Sequence, residues 1–463
     1  MMLSYFDVDS QLSIFYDVEC QLGFTSGEFT GQRRAKMQKK GNIPAGIAAL
    51  RSLKWLSFGF NKLNGSNVLS MFNISTLEYL DLRNAGLTGD FPSDLCGRLP
   101  RLQKLGLNFN MLSGEIPRRI SECSQLQVLL LMENNLIGTI PGELGKLQLL
   151  QQLALGNNKL EGLLPDEIGN LQELLMLKLD FNNFSGSIPI GIFNISTLVS
   201  ITLTQNRISG NLPNTIGSGS PNLERIFLGA NNIDGLLPSS ISNLSKLTVL
   251  ELSANELTGS IPDFLGNLRL IEILNLQGNS FTSDSSMLSF ITPLANCKYL
   301  RELIVSINPL NAILPKSIGN LSSLQTFEAI GCNLKGHIPN EIGNLRNLSY
   351  LKLDKNDFTG IVSTTISSLE KLQQFSLGAN RISGLCGNPQ KHVPACRSNS
   401  KNHSNSKKRR MIWIVVVSSV ISIIGFASAI IFVLMRHRGK KHFGKMLRSR
   451  LPGAIYRVSL FEY

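Results

Sequence analysis

The hydrophobic residues of this chain recur in one arrangement. In the stretch from Leu126 to Leu149, Leu129 and Leu131 alternate with other positions, which predicts a short strand with one buried face. Asn134 follows three positions later, and its side-chain amide offers two donors and an acceptor to the backbone of a tight turn. Gly138 and an Ile-Pro pair then turn the chain toward a short helical segment. The pattern therefore predicts one strand, one turn and one helical turn per unit.

The asparagine position sets the register of the repeat. It recurs fourteen times at intervals of 24 or 25 residues, with one interval of 29 between Asn279 and Asn308. Ala85 and Cys332 occupy it in two units, and the turn at Ala85 is expected to be weaker because alanine supplies no hydrogen bonds. The fourteen positions are Asn61, Ala85, Asn110, Asn134, Asn158, Asn182, Asn206, Asn231, Asn255, Asn279, Asn308, Cys332, Asn356 and Asn380.

One unit cannot bury this much leucine alone, so the units must stack as coils. The pattern L-x-x-L-x-L-x-x-N-x-L-x-G-x-I-P is that of a leucine-rich repeat. The predicted fold class is an α/β repeat: a leucine-rich-repeat solenoid, shaped as a horseshoe or superhelix, with a parallel sheet on its concave face. A single transmembrane helix is expected after the solenoid.

The domain organisation follows the repeat and its ends. Residues 1–40 are atypical: they contain no apolar run long enough for a signal peptide, and we expect that this is not the natural N-terminus. Residues 41–384 are predicted to form the solenoid, which begins part-way through a coil. The remaining predicted parts are a cysteine cap at 385–396, a linker at 397–410, a transmembrane helix at 411–435 and a basic cytoplasmic juxtamembrane tail at 436–463.

The segment from Met411 to Met435 holds 25 residues without a charge, more than the ~20 that cross a bilayer. Basic residues are more numerous after it, and glycosylation motifs precede it, so we expect a single-pass plasma-membrane protein with the N-terminus extracellular and the C-terminus cytoplasmic. Four small residues share one face of this helix. Such a face lets two helices approach, but small residues are also common in membrane helices without that role. The four are Ser418, Ser422, Gly425 and Ala429.

The net charge of +13 is concentrated near the C-terminus. From Lys407 to Tyr463 there are twelve lysines and arginines and one acid, so the first 406 residues sum to only about +2. This leaves no basic patch that could follow phosphates, and we exclude nucleic acid as a partner. The sequence shows no nucleophile–base–acid arrangement, no zinc spacing of cysteine and histidine, and no kinase motif. We therefore predict no catalytic residues, no metal and no cofactor.

The strand positions between the leucines are expected to face outward across the concave groove. Aromatic and charged residues on a rigid surface are frequent in recognition sites, and we expect the surface as a whole to bind a ligand, although each residue alone is better explained as solvated surface. The densest predicted ligand site lies in mid-solenoid, and a set near the solenoid entrance is its rival. The mid-solenoid set is Lys178, Asp180, Phe181, Arg225 and Phe227, and the early set is Tyr79, Asp81 and Arg83.

Seven cysteines are too few for a disulfide scaffold. Cys386 and Cys396 follow the last coil directly, at a spacing that suits a disulfide closing the open end. Cys123 and Cys297 fall where other repeats have leucine, and with Cys332 they are expected to be buried thiols. Eight Asn-x-Ser/Thr motifs fit a glycosylated extracellular part, although the repeat itself generates some of them. They begin at Asn64, Asn73, Asn183, Asn194, Asn243, Asn320, Asn347 and Asn402.

Several motifs resemble those of the plant leucine-rich-repeat receptor serine/threonine kinases. The I-G-N-L segments at Ile168, Ile318 and Ile342 are similar to theirs. The insert S-F-I-T-P-L-A-N-C-K-Y-L-R-E-L at 289–303 and the G-L-C-G at 384–387 resemble the subfamily that contains immune receptors for microbial patterns. The resemblance covers roughly residues 41–463. The chain departs from the family in two respects, because the signal peptide with its N-terminal cysteine cap and the kinase domain are both missing.

The resemblance implies a membrane-anchored receptor-like protein whose ectodomain binds an extracellular peptide or microbial-pattern ligand, for defence or developmental signalling through a partner co-receptor kinase. This chain would then not itself be an enzyme. Two alternatives stay open: a truncated gene model of an active receptor serine/threonine kinase, and a non-signalling decoy fragment. Genomic sequence after Tyr463 that encodes a glycine-rich loop, H-R-D and D-F-G would favour the first alternative.

Overall fold

The computed structural model describes residues 45–63 and 73–382. Several predicted features fall outside these residues: the atypical N-terminus, the cysteine cap with Cys386 and Cys396, the linker, the transmembrane segment with its small-residue face, the tail, and the motifs at Asn64 and Asn402. Within 45–63 and 73–382, no helix is long and apolar enough to cross a bilayer.

The concave side of the solenoid is one parallel sheet of fourteen strands, in which each strand pairs with those of the preceding and following coils. This confirms the predicted solenoid and the register set by the asparagine position. The sheet forms because the alternating leucines bury one face of each short strand. The strands are β1 (Trp55–Ser57), β2 (Tyr79–Asp81), β3 (Lys104–Gly106), β4 (Val128–Leu130), β5 (Gln152–Ala154), β6 (Met176–Lys178), β7 (Ser200–Thr202), β8 (Arg225–Phe227), β9 (Val249–Glu251), β10 (Ile273–Asn275), β11 (Glu302–Ile304), β12 (Thr326–Glu328), β13 (Tyr350–Lys352) and β14 (Gln374–Ser376).

The repeated asparagine binds the backbone of two coils at once. The Asn255 amide nitrogen donates to the carbonyl of Leu228 in the preceding coil at 3.0 Å and to the carbonyls of Leu252 and Ser253 at 3.2 and 3.1 Å. Its side-chain oxygen accepts from the Ile233 N–H at 3.0 Å. The asparagine is buried, so its oxygen satisfies a buried N–H and its nitrogen adds a second donor to carbonyls that other groups also reach. The predicted role of the asparagine is confirmed.

The two coils without asparagine obtain extra contacts from the coil that follows. The N–H groups of Ala85 and Leu87 both donate to the side-chain oxygen of Asn110 at 3.0 Å. Asn356 accepts in the same way from the N–H of Cys332 at 3.0 Å, and the Cys332 thiol donates to a backbone carbonyl. Alanine supplies neither the oxygen nor the donors of an asparagine. The Leu63 N–H, at the position that donates to the asparagine oxygen in other coils, donates to the Ala85 carbonyl at 2.8 Å, and this contact offsets part of the weakness expected there.

After the asparagine each coil turns through a second, shorter strand on its flank. A sheet of seven such parallel strands runs along the middle of the solenoid, with two-stranded pieces toward its ends. A glycine with positive φ closes this turn in most coils, and Gly186, at φ 73°, is one of them. A Cβ there would meet only a terminal methyl of the exposed Leu163 side chain, which can move aside, so the positive φ of the turn is what favours glycine. The flank strands are Thr88–Asp90, Met111–Ser113, Ile137–Gly138, Lys159–Leu163, Asn183–Gly186, Arg207–Asn211, Asn232–Gly235, Glu256–Ser260, Ser280–Thr282, Lys335–Gly336 and Asp357–Phe358.

Single helical turns close the coils on the convex side. Most are 3-10 turns that begin after proline, which fixes its own φ at the residue before the turn, as at Pro141 with φ −70°. Their leucine and isoleucine residues complete one continuous core along the solenoid. The 3-10 turns are Ala45–Ala49, Arg118–Glu122, Gly142–Lys146, Asp166–Asn170, Ile190–Asn194, Ser239–Asn243, Asp263–Asn267, Lys316–Asn320, Asn340–Asn344 and Thr364–Ser368, and the α-helical turns are Leu95–Arg98 and Ile291–Leu294.

The cysteines of the solenoid correct one expectation. Cys123 is not a free thiol: it forms a disulfide with Cys96, whose Cα lies 4.8 Å away. The two residues are 27 apart in the sequence. Cys96 lies in the helical turn Leu95–Arg98, and Cys123 directly follows the helical turn Arg118–Glu122 of the next coil. Comparison with the leucines of other repeats identified the buried position of Cys123 but not its neighbour. Cys297 and Cys332 are free and buried as predicted, and burial raises the pKa of each thiol to about 11.

Candidate functional site

The concave face displays the first and third residues of each strand and the residue two positions further on. Successive residues of a strand point to opposite sides of the sheet, so Met176, Lys178 and Asp180 share the concave side while Leu177 and Leu179 enter the core. The register aligns equivalent positions from coil to coil, as in the pairing of Lys178 with residues of β5 and β7. The concave face is therefore a regular grid of side chains.

A left-handed backbone conformation precedes the asparagine in nearly every coil, and glycine occupies this position in only two coils. Phe60, Phe109 and Phe181 adopt it with φ of 58°, 61° and 53°. This conformation places a bulky side chain at the rim of the concave face, where Phe109 and Phe181 are each 37 % exposed. Ile307 has φ 56° and is exposed as well, although β-branched residues rarely adopt this conformation. The rim position was not recognised from the sequence.

The mid-solenoid set is less exposed than predicted. Lys178, Asp180 and Phe227 are buried, Arg225 is half-buried, and Phe181 alone of the five is exposed. Burial does not come from the core, because these side chains lie on the concave side. It comes from the neighbouring coils, whose side chains stand about 4.8 Å away along the grid. The prediction placed the residues on the correct face but missed this mutual covering.

Two apolar patches on the concave face were also missed. The first consists of Val128, Leu130 and Ala154, with Met132 packed against them. The second consists of Phe227, Val249 and Ile273. Both are separate from the main core, and the polar part of the face, including Lys178 and Asp180, lies between them. The sequence signal was available: these coils have apolar residues at strand positions that elsewhere hold polar ones.

The early set forms a closed network at the first coils. The Arg83 guanidinium donates two hydrogen bonds to the Asp81 carboxylate, at 2.9 and 3.0 Å, and lies 5.8 Å from the centre of the Phe60 ring. Trp55 stacks on Tyr79 with ring centroids 3.8 Å apart. Burial and the nearby Asp81 carboxylate raise the pKa of Tyr79. Asp81 and Tyr79 of the early set are buried. The exposed side chains of this network are Trp55 and Phe60, which the predicted set did not include.

Four acidic side chains of the concave face lie against a glycine of an adjacent coil, where a Cβ would meet the carboxylate. Three of the four have hydrogen-bond donors within the protein. Asp81 has those of Arg83, Glu251 accepts from the Ser253 N–H at 2.9 Å, and Asp354 accepts from the Gly378 N–H at 2.8 Å. The acid and glycine pairs are Asp81 and Gly59, Asp180 and Gly156, Glu251 and Gly229, and Asp354 and Gly378.

Asp180 differs from the other three in one carboxylate oxygen. Its Oδ1 atom is buried and has no hydrogen-bond partner, and the residue is only 5 % exposed. Burial raises the pKa of Asp180 from its ordinary value of 3.8 to about 6, although a hydrogen bond from its own backbone and the charge of Lys178 oppose this change. The negative charge of Glu133 acts in the same direction as burial. The carboxylate is held at this position at a cost in stability.

Replacing Asp180 with asparagine should therefore remove a pH-dependent cost. Because the folded pKa is raised, the folded state keeps a proton that the unfolded state releases between pH 4 and 6, and the free energy of unfolding falls as the pH rises through this window. A difference of about two pKa units corresponds to about 3 kcal/mol at pH 7 and to nothing at pH 3. Denaturant unfolding of the parent and of Asp180→Asn across this range measures the difference. Asp166→Asn, on an exposed helical turn, controls for net charge; equal curves for all three proteins would contradict the assignment.

The structure describes six of the eight predicted glycosylation motifs. Asn73, Asn194, Asn243 and Asn320 are exposed. The other two, Asn183 and Asn347, are half-buried. The Asn347 side-chain nitrogen donates to the Ser322 carbonyl at 3.0 Å, and its side-chain oxygen accepts from Lys371 Nζ at 2.7 Å. A glycan would be attached to the nitrogen that makes the first of these contacts. Glycosylation remains a prediction.

Family models for the leucine-rich repeat match residues 76–97, 149–171, 196–257 and 221–281. Receptor-like protein 35 of Arabidopsis thaliana is 37 % identical over 89 residues, which are 19 % of this chain and 9 % of that protein. The chain therefore matches about a tenth of the length of this curated relative.

Within 45–63 and 73–382, no group of His, Cys, Asp and Glu side chains is arranged to hold a metal ion.

The solenoid is similar to solved plant receptor ectodomains. The plant peptide hormone receptor RGFR1 in complex with RGF2 superposes with a TM-score of 0.69 at 33 % identity, over 74 % of this chain and 54 % of that one. The Arabidopsis receptor kinase HAESA in complex with the peptide hormone IDA and the co-receptor SERK1 superposes with a TM-score of 0.67 at 28 % identity, over 77 % and 63 % of the two chains. The chain thus contains leucine-rich repeats and resembles the ectodomains of plant leucine-rich-repeat receptors.

Proposed function

We propose that this protein is a membrane-anchored leucine-rich-repeat receptor-like protein of the plasma membrane, with its solenoid outside the cell. The solenoid binds an extracellular ligand, a peptide or a microbial pattern, and the signal, in defence or development, passes through a partner co-receptor kinase. The observation that carries the proposal is the mid-solenoid concave face, where two apolar patches flank a charged segment. Solved structures similar to this chain are described as receptor complexes with peptide hormones, which supports a peptide ligand.

The concave face suits an extended peptide for a physical reason. Each strand between β1 and β14 is held by hydrogen bonds on both sides, so the face is rigid and its side chains are presented at little cost in entropy. A peptide that crosses the coils meets a new strand about every 4.8 Å and advances about 3.3 Å per residue. The patch residues cover one another and are each 2–8 % exposed, apart from the half-buried Met132, so apolar side chains of the peptide would pack on top of the two patches, as apolar anchors do in other interfaces.

The sequence beyond the described residues supports the membrane anchor. The 25 uncharged residues from Met411 to Met435 are long enough to cross a bilayer, and the glycosylation motifs all precede them. Exposure of four of these motifs on the solenoid is compatible with glycans on its surface.

Truncating two aromatic residues of the concave face tests the proposal. Phe181 lies at the rim and Phe227 in the second patch, and neither belongs to the main core, so the fold should survive their replacement. With dodecapeptides selected from a random phage library on the full-length parent, Phe181→Ala combined with Phe227→Ala should weaken binding by about 2–4 kcal/mol. Tyr350→Ala is the control, because Tyr350 is a similarly exposed aromatic residue far along the sheet. Unchanged affinity in the double variant would place recognition elsewhere.

A further inference from the structure

Two buried polar atoms of the mid-solenoid set lack a hydrogen-bond partner, Oδ1 of Asp180 and Nε of Arg225, and the first is an acceptor on a carboxylate. The three other carboxylates that rest against a neighbouring glycine have donors within the protein, and Asp180 leaves Oδ1 buried without one. A buried acceptor without a donor is unfavourable, and native proteins keep few of them. Oδ1 lies against Gly156 and is closed to solvent, so a donor from outside the chain supplies the missing bond when the carboxylate turns from Gly156 toward the groove.

The position of Asp180 relates this oxygen to the two apolar patches. Asp180 follows β6, which pairs with β5 of the first patch on one side. On the other side β7 separates it from β8, where the second patch begins. Along the face, Asp180 is therefore one to two strands from the first patch and two to four strands from the second. A ligand that fills both patches passes over Asp180.

The charges around Asp180 favour a cation. Lys178 and Glu133 are the charged groups that influence its carboxylate, so the ionised trio has a net negative charge. Arg225, two strands away, has the Glu224 carboxylate 3.9 Å from its guanidinium and adds little positive charge to the site. A guanidinium or ammonium group both donates the missing hydrogen bond and neutralises the excess charge.

We propose that Asp180 binds a cationic group, an arginine or lysine side chain, of an extended peptide whose apolar residues occupy the two patches. This inference rests on the proposed function and specifies the chemistry of its ligand. With strands about 4.8 Å apart and about 3.3 Å per peptide residue, the basic residue lies about one to three residues from the apolar residue on the first patch. It lies about three to six residues from the apolar residue on the second.

The test selects peptides from a random dodecapeptide phage library on the full-length parent, and then measures their affinity for Asp180→Asn. The substitution keeps the shape of the side chain and removes its charge. We expect the selected peptides to contain a basic residue at the spacing given above and to bind Asp180→Asn at least tenfold more weakly. Replacing arginine by citrulline in the tightest peptide should weaken binding to the parent to the same extent and should cause no further loss in Asp180→Asn. Glu251→Gln is the matched control, since that carboxylate already has a donor in Ser253, and it should change affinity less than twofold.

The outcomes separate this inference from the proposed function. Peptides that need Phe181 and Phe227 but bind Asp180→Asn as tightly as the parent would overturn the cation site and leave the proposed function in place. Peptides that bind equally to the parent, to Asp180→Asn and to the double phenylalanine variant would overturn both, as would a library from which nothing is enriched. Equal affinity of the arginine and citrulline peptides for the parent would also overturn the cation site.

Discussion

Replacing Asn255 with alanine is expected to lower the free energy of unfolding by about 4 kcal/mol, because the buried Ile233 N–H loses the side-chain oxygen and three backbone carbonyls each lose one of two donors. Its side chain contacts the Ile233 N–H and three carbonyls from two successive coils, and it is buried. The carbonyls keep their donors from Asn231, Asn279 and Ala230, so only the N–H is left without a partner. A buried N–H without an acceptor costs about 1–3 kcal/mol and each lost second hydrogen bond about 0.5–1.5 kcal/mol, and the methyl group of alanine leaves a small cavity as well. The effect should be large because one residue serves two coils.

Equilibrium unfolding in urea measures this loss, and a second asparagine in a neighbouring coil provides the control. Asn232 is exposed and makes a single long side-chain contact, 3.4 Å to Glu256. Asn232→Ala should change the free energy of unfolding by less than about 0.5 kcal/mol. If the two alanine variants unfolded at the same urea concentration, the buried contacts of Asn255 would not be the source of stability that the structure indicates.

Removing the disulfide between Cys96 and Cys123 is the second change with a large expected effect. The bond closes a loop with a sequence separation of 27, and the chain entropy of the unfolded state then predicts a loss of about 3.5 kcal/mol on opening it. Coils of a solenoid contact only their neighbours, so the loss should be concentrated in the first coils. Hydrogen exchange of Cys96→Ser with Cys123→Ser should show faster opening near β2 to β4, while exchange near β9 stays at the parent rate.

Reduction offers an independent check of the same bond. The parent protein in reducing buffer should reproduce the exchange pattern of the double serine variant. The variant itself should not respond to reductant in these coils, because Cys297 and Cys332 are free thiols already. A parent protein whose first coils exchange equally with and without reductant would show that the disulfide does not stabilise them.

The pattern of a single repeat predicts which side of the sheet a residue of the candidate site lies on, but not how side chains of adjacent coils cover it. The strand pattern placed Lys178, Asp180 and Phe227 on the concave side, where the structure has them. It did not show that they are buried, because covering comes from side chains about 24 residues away in each direction. The unpartnered oxygen of Asp180 is also a property of this neighbourhood, since Glu251 obtains a donor from Ser253 and Asp180 finds none.

The sequence by itself determined the repeat, its register and the strand, turn and helical turn of each coil, because each asparagine, leucine and glycine acts within its own unit or the next. It also predicted that Cys297 and Cys332 are buried thiols. Only the tertiary structure decided which side chains of different coils meet: the pairing of Cys96 with Cys123, the two apolar patches and the enclosure of Asp180. These contacts join residues that stacking brings within a few ångströms, and the spacing between coils is a property of the packed solenoid that no single repeat displays.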